Sequence, residues 1–465
     1  MGRLYLVDTH CHLWHPEFSF DLKEVIKEAQ RRNVSYFINI GVDIDTSRKA
    51  INIASKYKGV YACVGIHPHY ARDYKPSDLK ELCKLLKKKK VVGLGEVGLD
   101  FYRELSNRKQ QLKLFKEMLE VWTQWGKGPV IIHNREAGDE VLSLVDKVRD
   151  QASKVVMHCF SGDKQFLEEC LERGYFISYA TNLTYNEGLQ ELVRYSPLER
   201  LLLETDSPYL APAPYRGKRN KPSYLWESVK LVAKLKEVEE EDIVRSLMVN
   251  VKRVFDIGEI TLKPRIVYRY KGNLYLNITN RCTNNCSFCF RFHTDYFAGY
   301  KLKLEKEPTL RQILRELKGE ELSQEVTFCG FGEPFLRFDM LKRVAQELKR
   351  RNLKVRVVTN GQGNLINDRN VLRELRGLVD KVSVSLNVED EGKYNRLCKP
   401  KFGDRTFKGV VEFVREAKKY IPEVEVTFLK LPGVDEKRCE ELARDLGVHF
   451  RMRTLERFFP LEGVG

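Results

Sequence analysis

The chain has 465 residues, 42% of them apolar, and a formal net charge of +16. That length exceeds one typical domain, and no apolar run is long enough to span a bilayer, which excludes a helical membrane protein. Eleven cysteines, an odd number with three crowded at Cys282, Cys286 and Cys289, argue against a disulfide framework and for a metal centre in a reducing cytoplasm.

Met1 to Asp8 reads as a short strand pattern, without the layout of a signal peptide. It runs into Thr9-His10-Cys11-His12, whose two histidines share one face of an extended chain. Short apolar strands then alternate with amphipathic helices up to residue 257. The strands are expected at Leu4–Val7, Tyr36–Ile40, Val60–Val64, Val91–Leu94, Val130–Ile132, Val155–Met157, Phe176–Ser178 and Leu201–Leu203. Helices are expected at stretches such as Asp21–Arg32, Ser77–Lys89, Arg108–Trp125, Asp139–Asp150 and Lys164–Arg173. Eight such units predict a (β/α)8 TIM barrel, whose chemistry sits at the C-terminal ends of the strands.

Those ends carry the candidate ligands. His10 and His12 follow the first strand, His67 and His69 the third, Glu96 and Asp100 the fourth, His133 the fifth, His158 the sixth and Asp206 the eighth. Seven of the nine histidines fall in this half, and six of those lie at predicted strand ends, a pattern that scattered core histidines would not follow. Histidine mixed with carboxylate suits Zn, Mn or a similar ion. There are enough ligands for two metals, with Glu96 able to bridge, an arrangement that hydrolyses phosphodiesters. Asp206 could ligate a metal and also take a proton from the attacking water. Arg216 and Arg219, in the loop after the eighth strand, are candidate phosphate contacts.

Asp8-Thr9-His10-Cys11-His12, Gly65-Ile66-His67-Pro68-His69, Gly95-Glu96-Val97-Gly98-Leu99-Asp100, His133-Asn134-Arg135-Glu136-Ala137, His158-Cys159-Phe160-Ser161-Gly162 and Glu204-Thr205-Asp206-Ser207-Pro208 together resemble the TatD family of metal-dependent deoxyribonucleases. The resemblance covers residues 1–257. It implies an amidohydrolase-type barrel and two divalent ions (Zn, Mn or Mg) on His10, His12, Glu96, His133, His158 and Asp206. It places His67, His69, Asp100 and Arg135 near substrate. It also implies phosphodiester hydrolysis of DNA, often as a 3′–5′ exonuclease, with Asp206 and Glu96 as catalytic groups. An alternative substrate class is aminoacyl esters or small molecules.

Gly258 and Pro264 punctuate a short connection, and a second domain is expected at 258–465. Residues 1–257 hold 41 Lys and Arg against 36 Asp and Glu, while the remaining 208 hold 40 against 29, so the second part is the more basic. That balance fits a nucleic-acid or modified-nucleotide substrate, and equally a Lys/Glu-rich solvated surface. Six further strands are expected at Leu274–Ile278, Glu325–Phe328, Lys354–Val358, Lys381–Leu386, Glu423–Phe428 and Val448–Met452. Helices are expected between them, including one at Val371–Leu375. Six units predict an open partial (β/α)6 barrel.

Its first strand leads into Cys282-Thr283-Asn284-Asn285-Cys286-Ser287-Phe288-Cys289. With His293 these cysteines could make a Cys3His zinc site in a nucleic-acid-binding module. Alternatively, three thiolates could hold a [4Fe–4S] cluster with one iron left open. The Cys-x3-Cys-x2-Cys spacing resembles the radical SAM superfamily. So does Gly330-Phe331-Gly332-Glu333-Pro334 after the next strand, with Phe331 where glycine is commonest. This resemblance implies a [4Fe–4S] cluster, S-adenosyl-L-methionine (SAM) and a reductant. It implies SAM contacts at Phe288, Gly330, Gly332, Glu333 and Pro334. Thr359-Asn360-Gly361 and Ser383 to Asn387 end the next two strands and are read as SAM or substrate contacts.

Overall fold

Eight short apolar strands build the first sheet: β1 (Leu6–Cys11), β2 (Val34–Ile40), β3 (Val60–Val64), β4 (Val91–Asp100), β5 (Val130–Arg135), β6 (Val155–Met157), β7 (Phe176–Tyr179) and β8 (Leu201–Leu203). They lie side by side in chain order, each parallel to the next. The ring is drawn together where Asp206 N donates to His10 O at 2.9 Å and His12 N donates to Ser207 O at 2.8 Å. In this computed structural model the described residues are 4–148, 150, 154–260, 262–321 and 323–454. The chain divides into two units, 1–261 and 262–465.

Helices follow the strands of the first unit and bury their apolar stripes on the outside of the barrel. The longest, Arg108–Trp125, starts at a capping box of Asn107 and Gln110 and stops at Gly126 in the left-handed region. Val7, Ile38, Cys63, Ile131, Val156 and Leu202, from six different strands, cluster with Val251, Val254 and Phe255 of the last helix, Glu240–Phe255. Residues on opposite walls can meet only across the barrel axis. The interior is therefore a packed plug, and the chemistry is left to the C-terminal rim.

β4 runs to Asp100, well beyond the expected end at Leu94. Gly95 and Gly98 lie within the extension, where they serve close strand approach. A Cβ on Gly98 would stand 2.0 Å from His133 O, and one on Gly95 would stand 2.5 Å from Ile131 Cβ. A register shift between Leu94 and Val97 accompanies them.

The second unit contains β9 (Val267–Tyr270), β10 (Asn273–Leu276), the short ladder β11 (Tyr296–Phe297) with β12 (Tyr300–Lys301), then β13 (Glu325–Phe328), β14 (Lys354–Thr359), β15 (Lys381–Asn387), β16 (Glu423–Leu429) and β17 (His449–Arg453). The main sheet has the order β17-β16-β15-β14-β13-β10-β9. Its six parallel strands are the expected six. β9 is an addition, antiparallel to β10 through a two-residue Lys271-Gly272 turn in which both φ angles are positive. The helix expected at Val371–Leu375 is a single 3-10 turn, Arg373–Leu375, too short to continue past Gly377. Two short helices, Gly363–Asn367 and Glu391–Cys398, were not expected. No helix among the described residues is long and apolar enough to cross a membrane.

Candidate metal centre and cysteine loop

Glu96 sits at the centre of the first rim, 4% exposed. Its Oε1 lies 2.9 Å from His133 Nδ1, 3.3 Å from His67 Nε2 and 3.4 Å from His158 Nε2, and its Oε2 lies 3.4 Å from His10 Nε2. Burial alone would raise the pKa of this carboxyl. The surrounding imidazoles, His158 and His67 foremost, outweigh burial and hold it well below the usual range.

Asp206 forms the second node. Its Oδ1 lies 3.3 Å from His12 Nε2 and 3.8 Å from His10 Nε2. His12 Nδ1 donates to Ile40 O at 3.0 Å. A carbonyl only accepts, so Nε2 keeps its lone pair toward Asp206. Burial disfavours the charged form of His12, yet Asp206 raises its pKa above the ordinary value. Burial, with His158 adding, lowers that of His10.

Neither ring nitrogen of His10 makes a hydrogen bond, although the residue is fully buried. An orphaned buried imidazole calls for a partner. Donor atoms lie within 4.8 Å of one another in His10/His12/Glu96, in His10/His158/Asp206 and in His67/Glu96/His133. These residues therefore fit divalent cations around Glu96 and Asp206, and His67 joins a ligand grouping where a substrate contact was expected.

Two of the groups behind them, Glu204 and Asp8, were not singled out from the sequence, whereas Asp100 was expected near substrate. Glu204 Oε1 lies 2.8 Å from His158 Nδ1 and accepts from Cys159 N at 2.7 Å, while Ser178 Oγ donates to its Oε2 at 2.5 Å. Asp8 accepts from Thr205 N at 2.9 Å and from Thr205 Oγ1 at 2.5 Å, fixing the turn that carries Asp206. Asp100 Oδ2 ties His69 Nε2 at 2.8 Å to His133 Nε2 at 3.3 Å. Their only early signal was adjacency: Glu204 is two residues before Asp206, and Asp8 two before His10.

A cavity of about 750 Å³ opens over this cluster, lined by His12, His67, His69, Glu96, Asp100, His133, Arg135, His158 and Asp206. Trp14, Tyr70, Arg103, Asn134, Ser161, Asn182 and Tyr209 also line it. Arg135 lies 4.0 Å over the Tyr102 ring at the mouth.

Arg216 and Arg219 do not line this cavity, contrary to expectation. Arg219 pairs with Asp21 at 2.5 Å and donates to Glu17 O, so its charge is spent on the first helix. Arg216 stacks on Tyr185 at 4.3 Å.

In the second unit, the cysteine loop follows β10. Arg291 donates to Asn284 O at 2.7 Å and to Asn280 O at 3.3 Å, clamping its two ends. The C-terminal end of helix Glu391–Cys398 holds the middle, with Asn285 N donating to Cys398 O and Ser287 N to Leu397 O, both at 3.0 Å. All three thiols are free and half-buried. Neither they nor His293 join any close donor grouping among the described residues.

Gly332 lets the next loop pass beneath: a Cβ there would stand 2.4 Å from Thr279 O and 2.5 Å from Arg281 O. On Gly330 it would strike Asn277 Oδ1. Glu333, 2% exposed, accepts from Asn360 N at 2.7 Å, Thr359 Oγ1 at 2.8 Å and Phe335 N at 3.1 Å, and Pro334 opens the turn that follows. Burial pushes its carboxyl up to about 7 against these donors. Asn360 Nδ2 reaches Thr283 Oγ1 at 2.8 Å, joining the third strand end to the cysteine loop. Phe288 packs against the core of this unit. Asn387 Nδ2 donates to Cys398 Sγ at 3.4 Å.

Residues 7–256 match the family model for TatD-related DNases, and residues 276–446 match that of the Radical SAM superfamily. An uncharacterized metal-dependent hydrolase of Bacillus subtilis, YabD, is 35% identical over 255 residues, covering 54% of this chain and all of the relative. The 3′-5′ ssDNA/RNA exonuclease TatD of Klebsiella pneumoniae is 32% identical over 260 residues, 54% of this chain and 98% of the relative. The crystal structure of YJJV, a TatD homologue from Escherichia coli, superposes with a TM-score of 0.52 at 27% identity, over 54% of this chain and 98% of that one.

Proposed function

The chain belongs to the TatD-related DNase family through residues 7–256, and from that premise we propose that its first unit hydrolyses nucleic-acid phosphodiesters with two divalent ions, working from the 3′ end of single strands. The observation that carries this reading is Glu96, one buried carboxylate facing four imidazoles within 3.4 Å. His10, His12, Glu96, His133, His158 and Asp206 would hold the ions, which would supply positive charge to polarise the phosphodiester and to acidify a water.

The protein's own groups do the rest. Asp206, held against His12 at 3.3 Å, accepts the proton of the attacking water. Asp100 keeps His133 and His69 in place. Arg135 meets phosphate at the mouth, and Tyr209 and Trp14 offer faces on which bases stack. Metal-free protein reloaded with Zn, Mn or Mg should degrade end-labelled single-stranded DNA or RNA from the 3′ end. Ester cleavage of an aminoacyl-tRNA with both nucleic acids left intact would overturn the nuclease reading.

The second unit carries a Radical SAM domain. We read it as holding a [4Fe–4S] cluster on Cys282, Cys286 and Cys289, with SAM on Gly330, Gly332, Glu333, Pro334, Phe288 and Asn387. Fed by an external reductant, that pair would supply one-electron chemistry able to draw hydrogen from a substrate. Anaerobic iron and sulfide analysis with a visible spectrum tests it, on the wild type and on the Cys282/Cys286/Cys289→Ala variant. A brown protein with about four irons, lost in the variant, supports the cluster; a colourless protein with one zinc overturns it. Covalent linkage and the basic charge of both parts support related substrates for the two units in a reducing cytoplasm.

A further inference from the structure

The open face of the second sheet has a polarity that the cysteine loop does not account for. Val355, Val357, Val382, Val384, Val424, Val426, Phe428, Phe450 and Met452 pack on the helices. Side chains alternate along a strand. Arg356, Ser383, Glu425, Arg451 and Arg453 therefore point the other way, into the half-barrel. Arg356 and Arg451 both lean on one carboxylate, Glu425 Oε1, at 3.1 Å and 2.9 Å. Lys381 reaches its other oxygen at 3.8 Å. Glu423 and Glu325 lie at the opposite, N-terminal ends of their strands.

Arg453 stands at the C-terminal end, level with Leu429. Its NH2 donates to Asn387 Oδ1 at 2.9 Å, and Asn387 in turn bonds Cys398 beside the cysteine loop. Among the described residues no carboxylate pairs with it, and its Nε is buried without a hydrogen-bond partner. The far edge of the same face is aromatic. Tyr268 and Tyr275 stack at 5.2 Å on β9 and β10, with Tyr270 and Phe297 beside them.

A desolvated guanidinium with an idle donor, backed by two arginines that share a single acid, is a seat for a two-oxygen anion. We propose that the second unit takes a ring-bearing substrate with an oxyanion, a carboxylate or phosphate, seated on Arg453, with Arg356 and Arg451 adding positive charge to the same face and the ring against the tyrosines. This rests on the reading of the second unit as an enzyme whose substrate enters the half-barrel.

The test uses the full chain in a His133→Ala background, which disables the first unit's site. Phenylphosphonate and phenylacetate are the probes, and benzyl alcohol is the neutral control, all followed by calorimetry. We expect saturable binding of at least one anion, weakened about tenfold or more by Arg453→Met and by Arg356→Met, retained in Arg356→Lys, and untouched by benzyl alcohol. Which anion binds more tightly distinguishes phosphate from carboxylate. In case a methionine variant unfolds, arginine labelling of the wild-type chain with 4-hydroxyphenylglyoxal should mark Arg453, and phenylphosphonate or phenylacetate should protect it. No anion binding, or labelling without protection, overturns the proposal. So does an equal loss of SAM affinity in Arg453→Met with no probe binding, which would give the arginine to the cofactor's carboxylate. Iron and SAM binding are measured on the same samples. Probe binding without a cluster would sink the radical reading alone, and a loaded cluster without probe binding would sink this one alone.

Discussion

Glu96 and Glu333 are the same residue type, each at a strand end and each almost fully buried, at 4% and 2% exposure. Their carboxyls are driven in opposite directions. Glu96 faces four imidazoles and is held well below the ordinary range, whereas Glu333 faces only neutral donors and rises to about 7. Burial pushes both up by the same physics, and only the neighbours differ. The first environment keeps a permanent anion ready for cations. The second keeps a carboxyl that titrates near neutrality and becomes fully charged when a cationic partner arrives.

The largest effect that would break this contrast comes from deleting the permanent anion. Glu96→Ala should cut nuclease turnover by about a thousandfold or more, because in the proposed two-ion site this one carboxylate would serve both ions. Iron content of the second unit should be unchanged. Metal analysis and turnover on labelled single strands read the two together, and turnover reduced only severalfold would mean that Glu96 does not bridge.

Glu204→Gln should cost less, about ten- to a hundredfold in activity or metal affinity, since it acts only by orienting His158 at 2.8 Å. Raising the metal concentration should restore part of the loss, which distinguishes a positioning residue from a ligand whose loss abolishes the site.

The third prediction titrates Glu333. If its carboxylate meets the amino group of SAM, binding must release a proton wherever Glu333 is still protonated. Affinity should then be highest from about pH 7, where Glu333 titrates, to about pH 8, where a free α-amino group loses its charge. Below pH 7 it should fall about tenfold per unit. Glu333→Gln should bind SAM more weakly and without that slope. The raised pKa also fixes the sign for the ligand-free protein. Its stabilising contribution is fully present below pH 4.5 and is lost as the pH rises through 7. A wild-type affinity that is flat from pH 5.5 to 7.5 would remove Glu333 from the SAM site.

Much of this was legible in the residues alone because β/α folds concentrate their chemistry. His10, His12, His133 and His158 each follow an apolar run of only a few residues, so the strand and its ligand are read together. The eight-strand order needed nothing else. What escaped notice depended on contacts between distant segments. β4 was expected to end at Leu94, and only the backbone of β5 packed 2.0 Å from a would-be Cβ on Gly98 reveals why glycines continue the strand. β9 escaped because Lys271-Gly272 lacks the usual Asn-Gly or Asp-Gly signature of a tight hairpin. Glu204 and Asp8 looked like ordinary strand-end acids until His158 and Thr205 were brought to them.

Charge was the least readable signal, and the smallest predicted effect tests why. Arg216 to Lys221 looked like a phosphate-binding loop because three or four cations stand together. In the fold, Arg219 is bound to Asp21 at 2.5 Å and Lys221 to Glu28 at 2.7 Å, acids that lie some 190 residues earlier in the chain. A cation already neutralised releases few counterions when nucleic acid arrives. Arg219→Ala should therefore change KM for single-stranded DNA by less than about twofold. Its stability cost should be that of a partly exposed pair, about 1 kcal/mol or less. Arg135 lines the cavity with no carboxylate among the described residues holding it, and Arg135→Ala should raise KM about tenfold, the usual worth of a charge-assisted contact. Steady-state kinetics at two salt concentrations separates them, since only the Arg135 variant should lose salt dependence. Equal losses in both would mean that the Asp21 pair opens to receive the strand, and that the loop does what its sequence first suggested.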